Sequence, residues 1–88
     1  MMDERTQDRR YKVGCAIHDA RKAKGISQEH LGKLADIDRA YMGRIERGEV
    51  SVGLDKLWAI SDALDTTPSQ LLQTAEQAKT PDNPVDIQ

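Results

Sequence analysis

The chain has 88 residues, one cysteine, one tryptophan, two tyrosines and no phenylalanine, and its formal net charge is −2. That length supplies one small core and excludes a second domain or an enclosed catalytic cleft, while a lone Cys15 excludes an internal disulfide. No stretch approaches the roughly 20 apolar residues that span a bilayer, and residues 1–10 lack the apolar core of a signal peptide, so a soluble cytoplasmic protein with no membrane partner is expected.

Residues 1–8, two methionines followed by six polar residues, read as a flexible N-terminal tail. From Arg9 to Lys24, Val13, Ala16, Ile17 and Ala20 recur at helical spacing until Gly25 stops the run, which predicts a first helix. Ser27 stands as the N-cap of a short second helix, about 27 to 35, with Leu31, Leu34 and Ala35 facing inward. Asp38 caps a third helix, about 38 to 47, held by Met42 and Ile45 and ended by Gly48. On a fourth helix Leu54, Leu57, Ile60 and Leu64 form one stripe, and "TPSQ" at 67–70 is a capping box that opens a fifth helix carrying Leu71 and Leu72 to about residue 76. Residues 77–88, with two prolines and two isolated branched apolar side chains, read as a flexible C-terminal tail. The domain is therefore expected over 9–76, all-α, with a core of aliphatic residues between closely packed helices.

The charge is unevenly placed. Residues 9–48 hold ten Lys and Arg against five Asp and Glu, whereas residues 49–88 hold two against seven. Phosphate attraction is local and screened within about 10 Å at ordinary salt, so the basic block can face a polyanion while the acidic end points away.

Two short helices joined by a tight turn inside that basic block describe a helix-turn-helix. The stretch "SQEHLGKLADIDRAYMGRIERG", residues 27–48, resembles that unit in the Cro and C1 repressor-like family of the xenobiotic-response-element type. Gln28 opens the first helix, Leu31 and Gly32 let the helices cross closely, Ile37 plugs the turn, and "RIERG" closes the unit. The likeness extends through "IHDARKAKGIS" before it and "GLDKLWAISDALDTTPSQLL" after it, so it covers about residues 11–72. Asp36 and Asp65 depart from the family by replacing common glycines, Thr66 replaces a common valine, and Gly53 replaces a usual N-cap serine; aspartate tolerates the left-handed conformation and glycine is an acceptable cap. The resemblance implies a compact five-helix, lambda-repressor-like DNA-binding domain whose second and third helices form the reading unit, similar to small controller proteins and compact phage-type repressors.

On a third helix anchored by Met42 and Ile45, the opposite face carries Arg39, Ala40, Gly43 and Arg44, with Tyr41 and Arg47 at its edges. The resemblance sends that face into the major groove of double-stranded DNA, where Arg39 and Arg44 can fork onto guanine, Ala40 can touch a thymine methyl, and Gly43 lets the helix approach. Gln28, with Ser27, Tyr41 and Arg47, is expected to grip phosphates. Family relatives pair an arginine late in the first helix with the glutamate of "IERG", which here implies an Arg21–Glu46 salt bridge. The blander reading is that the arginines of any amphipathic helix face water, and that Tyr41 packs on the second helix.

Trp58 lies about 100° from Leu57 around the fourth helix and either caps the edge of the core or, if exposed, joins Leu71 or Leu72 in the homodimer interface that a pseudo-palindromic operator implies. Cys15, His18 and His30 do not converge as metal ligands, and no catalytic constellation or cofactor motif is present, so an enzyme is not expected. The function implied is a sequence-specific transcriptional regulator. The alternatives are the antitoxin of a toxin–antitoxin pair, which would also bind its operator and cover a toxin partner, and a protein-interaction module that uses the same fold without reading DNA.

Overall fold

The computed structural model describes residues 3–78. It consists of five α-helices: α1 (Glu4–Lys24), α2 (Gln28–Ala35), α3 (Arg39–Glu46), α4 (Leu54–Ala63) and α5 (Pro68–Gln77). Among the described residues there is no strand, and no helix is long and apolar enough to cross a membrane.

The caps explain where each helix begins. The side chains of Ser27, Asp38 and Thr67 accept from the backbone N–H groups of His30, Ala40 and Gln70, so each satisfies one donor that the first helical turn leaves open. Gly53 caps α4 with no side-chain bond. At the start of α5 the capping box is only half made: Thr67 accepts from Gln70 N, but Gln70 Oε1 accepts from the Thr66 hydroxyl at 2.7 Å instead of Gln70 reaching back to the cap. The αL positions are filled by Gly25 and Gly48, with φ of 77° and 76°, and by Asp36 and Asp65, both at 57°. An aspartate thus does the work of glycine after α2 and after α4.

The first helix starts at Glu4, not Arg9. Asp3 accepts from Thr6 N at 2.8 Å and caps a polar turn, and Lys12 pairs with Asp8 at 3.0 Å one turn along. Local capping and an i,i+4 ion pair therefore order residues 4–8, which were expected to be a tail. The expected C-terminal tail lies, apart from Gln77 at the end of α5 and Ala78 just after it, outside the described residues.

Ile17, Leu31, Met42, Ile45 and Ile60 are completely or almost completely buried, surrounded by Ala16, Ala35, Ile37, Leu57, Leu64, Leu71 and Ala75. α1 packs on α3 and α5, and α2 packs on α3 and α4, so α3 is held from both sides. Two stripe assignments and one interface assignment change. Leu34 and Leu54 are 54% and 65% exposed: on eight-residue α2 the buried side is Leu31, Gly32 and Ala35, and Leu54 precedes the turn at which α4 meets its neighbours. Leu71 is buried at 4%, because Leu71 and Ala75, one turn apart, form the inner side of α5, whose main partner is α1; it is unavailable to a partner subunit.

Two glycines set the helix spacing. A Cβ on Gly14 would stand 2.4 Å from Glu46 O and 2.6 Å from Ile45 O, so α1 lies directly against the last turn of α3. A Cβ on Gly32 would stand 2.3 Å from Ile37 O, which is why the turn between α2 and α3 can fold back so closely.

Candidate nucleic-acid interface

α3 is anchored by Met42 and Ile45, at 0% and 1% exposure. Its position in the fold fixes which side chains are left outside: Arg39, Ala40, Arg44 and Arg47 are exposed, and Tyr41 is half-buried with its ring against the core. Gly43 is buried and does not present itself as open surface. Arg47 Nη1 and Gln28 Oε1 lie 3.0 Å and 3.5 Å from where its Cβ would be, so the two side chains lie over it and bring the start of α2 to the end of α3.

Glu46 points inward. Its Oε2 accepts from Arg21 Nε at 2.7 Å, and its Oε1 lies 3.0 Å from Arg21 Nη2, 3.0 Å from Gln28 Nε2 and 3.1 Å from His18 Nδ1. Arg21 and Glu46 are both buried, at 7% and 6% exposure, and Arg21 Nη1 donates to Ile26 O at 2.9 Å. Burial by itself would raise the Glu46 pKa, but hydrogen bonds from Arg21, Gln28 and His18, together with the Arg21 charge, outweigh it and hold the carboxyl below its ordinary range. This cluster joins α1, α2 and α3 through one carboxylate.

At the amino end of α2 the Ser27 hydroxyl is committed to His30 N, and Gln28 Nε2 is committed to Glu46. A shallow depression at this end is lined by Lys22, Ser27, Gln28 and Arg39 among others. Unbonded first-turn N–H groups with cationic side chains beside them form a place where an anion is favoured.

Glu49, which the sequence does not single out, lies beside the exposed arginines of α3. Gly48 in the left-handed conformation turns the chain back, Glu49 N donates to Arg44 O at 2.9 Å, and the carboxylate lies over the end of α3. Its Oε2 accepts from Arg47 Nε at 2.7 Å, and Oε1 is 3.6 Å from Arg44 Nε. The hydrogen bond from Arg47 is the main reason that the Glu49 pKa lies below its ordinary value. His18 Nδ1 lies beside Glu46 and Arg21; among the described residues no cluster of three or more His, Cys, Asp and Glu could hold a metal.

Of the candidate interface residues on α4 and α5, Trp58 is 54% exposed and Leu72 38% exposed, in contrast to buried Leu71. Trp58 is one turn from exposed Leu54, and Leu54 and Leu72 line the same apolar groove with Val13, Val50 and Val52.

A family model described as helix-turn-helix matches residues 17–71. The control protein C.BamHI of Bacillus amyloliquefaciens is 38% identical over 68 residues, covering 76% of this chain and 84% of that protein. The crystal structure of the restriction-modification controller protein C.AhdI from Aeromonas hydrophila aligns with a TM-score of 0.68 at 41% identity, over 69% of this chain and 92% of that one. The solution structure of the DNA-binding domain of the P22 C2 repressor aligns with a TM-score of 0.68 at 31% identity, over 77% and 88% of the two chains.

Proposed function

This chain belongs to the helix-turn-helix family and is a sequence-specific DNA-binding transcriptional regulator; from that premise we propose that it reads a pseudo-palindromic operator as a homodimer, one α3 in each of two major-groove half-sites. The observation that carries this reading is the exposed row Arg39, Ala40 and Arg44 on a helix whose other side is locked by Met42 and Ile45. Arg39 and Arg44 fork onto guanine O6 and N7, each worth about 1–3 kcal/mol of base discrimination, and Ala40 meets a thymine methyl. Gly43, covered by Gln28 and Arg47, lets those two side chains lie close to the groove.

Phosphates are gripped at the amino end of α2 by free backbone N–H groups, with Ser27 and Gln28 beside them, and by Arg47 and the Tyr41 hydroxyl along the edges of α3. Arg21 and Glu46 do not touch DNA in this reading. They fix Gln28 relative to α3, so the phosphate grip and the reading face move as one body. The exposed apolar surface of Leu54, Trp58 and Leu72 is the proposed dimer interface, and a twofold axis through it sets the half-sites about one helical turn, roughly 34 Å, apart. The relatives named above are control and repressor proteins and give no support to an antitoxin or to a protein-interaction module. The protein acts in the cytoplasm in this reading, without cofactor or metal.

Native mass measurement of the complex with a selected operator tests the assembly. Two copies per duplex are expected, and Trp58→Ala should weaken operator binding while leaving base preference intact. One copy per duplex would overturn the homodimer, and a Trp58→Ala protein that binds as tightly as wild type at every concentration would overturn this placement of its interface.

A further inference from the structure

Glu49 stands between two cations of the reading helix, with Arg47 Nε at 2.7 Å, Arg47 Nη2 at 3.4 Å and Arg44 Nε at 3.6 Å. All three side chains are largely exposed, where an ion pair adds little to fold stability. Its position is nevertheless well defined, because the backbone of Glu49 is tied to α3 through Arg44 O and the left-handed Gly48. The geometry at Arg44 matters most. A guanidinium approached at Nε keeps both terminal nitrogens free, and those two nitrogens make the fork that matches guanine O6 and N7.

We propose that Glu49 is a specificity-determining positioning residue, which holds Arg44 through Nε so that its two terminal nitrogens project toward guanine, and which masks the charges of Arg44 and Arg47 from phosphates until a matching base pair is met. The proposal rests on the reading of α3 as the base-contacting helix. On a non-matching sequence the two arginines stay with the carboxylate, so three charged groups act on the polyanion as one net positive charge. On a matching site the forked contact repays the unfavourable approach of Glu49 to the phosphates. Glu49 therefore lowers affinity for all DNA, and lowers it least where Arg44 finds its guanine.

The test compares wild type, Glu49→Gln, Arg44→Ala and the double variant in selection from a random duplex pool, followed by equilibrium binding across a salt series. Glu49→Gln should keep the wild-type melting temperature and bind random-sequence duplex about 3- to 10-fold more tightly, with a log–log salt dependence steeper by about one unit because one more phosphate is engaged. It should also lose preference at the same base positions that Arg44→Ala loses, and the double variant should lose no more than Arg44→Ala alone. A wild-type protein that selects a clear motif, with Glu49→Gln selecting that motif at the same strength and the same salt slope, would overturn this role and leave the function intact. A wild-type protein that selects no motif at all would overturn both.

Discussion

Replacing Glu46 by glutamine removes one charge and almost no volume from the junction of α1, α2 and α3. Arg21 then remains buried with its positive charge uncompensated, keeping Ile26 O, His18 Nδ1 at 3.1 Å and a single amide oxygen as its polar neighbours. Breaking one partner of a buried ion pair costs about 3–5 kcal/mol, and because glutamine still offers an oxygen to one donor, the lower end, about 3 kcal/mol, is expected here. A chain of this length has a total stability of roughly 4–13 kcal/mol, at about 0.05–0.15 kcal/mol per residue, so the loss is a large fraction of the whole. For a domain of this size it corresponds to a fall in melting temperature of about 12–24 °C.

Thermal and urea unfolding followed by circular dichroism measure the loss directly. A companion variant, Arg21→Met with Glu46→Leu, removes both charges and should lie within about 1 kcal/mol of wild type, since apolar groups of similar size often replace a buried pair without loss. A Glu46→Gln protein destabilised by less than about 1 kcal/mol would show that the carboxylate does not compensate a buried Arg21 charge. So would a double variant less stable than the single one.

The same carboxylate gives a pH dependence whose sign is fixed by the direction of its shift. Its folded pKa lies below the ordinary value of 4.5, so its stabilisation is complete above that value and is lost as pH falls through the depressed folded pKa; acid titration of stability should be shallower for Glu46→Gln than for wild type. Gly14→Ala places a methyl 2.4 Å from Glu46 O and should cost about 1–3 kcal/mol in urea unfolding, despite the better helix propensity of alanine. Gly43→Ala meets only the flexible ends of Arg47 and Gln28, so its stability should be unchanged or higher by up to about 1 kcal/mol. Its operator affinity, measured by fluorescence anisotropy, should nevertheless fall several-fold, because the methyl pushes the Arg47 guanidinium off the groove edge while Gln28 stays in ordinary contact.

The helix starts and the turn geometry were legible because they depend on a few neighbouring residues. Gly53 as a cap and Asp36 as a glycine substitute are indicated by the family likeness, whereas Ser27, Asp38 and Thr67 announce their helices locally. Asp3 carries the same kind of signal, but the polar turn behind it has no apolar spacing to mark it as helical. Leu34 and Leu54 have inward spacing yet are exposed, because periodicity gives a face and not the neighbour that covers it, and Leu71, a candidate interface residue, is buried by a neighbour that the sequence does not reveal. Leu54 has the correct spacing and stands at a helix end with nothing above it, whereas Leu71 lies on the side of α5 turned to α1.

At the site, the arginines of α3 could be placed outside once Met42 and Ile45 were placed inside. Gly43 is a different matter. Its burial under Gln28 and Arg47 depends on the crossing of α2 and α3, which the spacing within α3 does not contain. Glu49 depends on the reversal at Gly48, since in an extended chain it would point away from Arg44. The pairing of Arg21 with Glu46 spans 25 residues and was indicated by family likeness alone; the structure adds Gln28 and His18 to that carboxylate.

Base reading in the proposed function falls to Arg39 and Arg44 of α3. Its most direct measurement is selection from a random duplex pool with wild type and with Arg44→Ala, under identical salt. The expected motif has two inverted half-sites about one helical turn apart, containing guanine at positions that Arg44→Ala no longer prefers. Absence of any enriched sequence at low salt, or an Arg44→Ala motif identical to that of wild type, would contradict it.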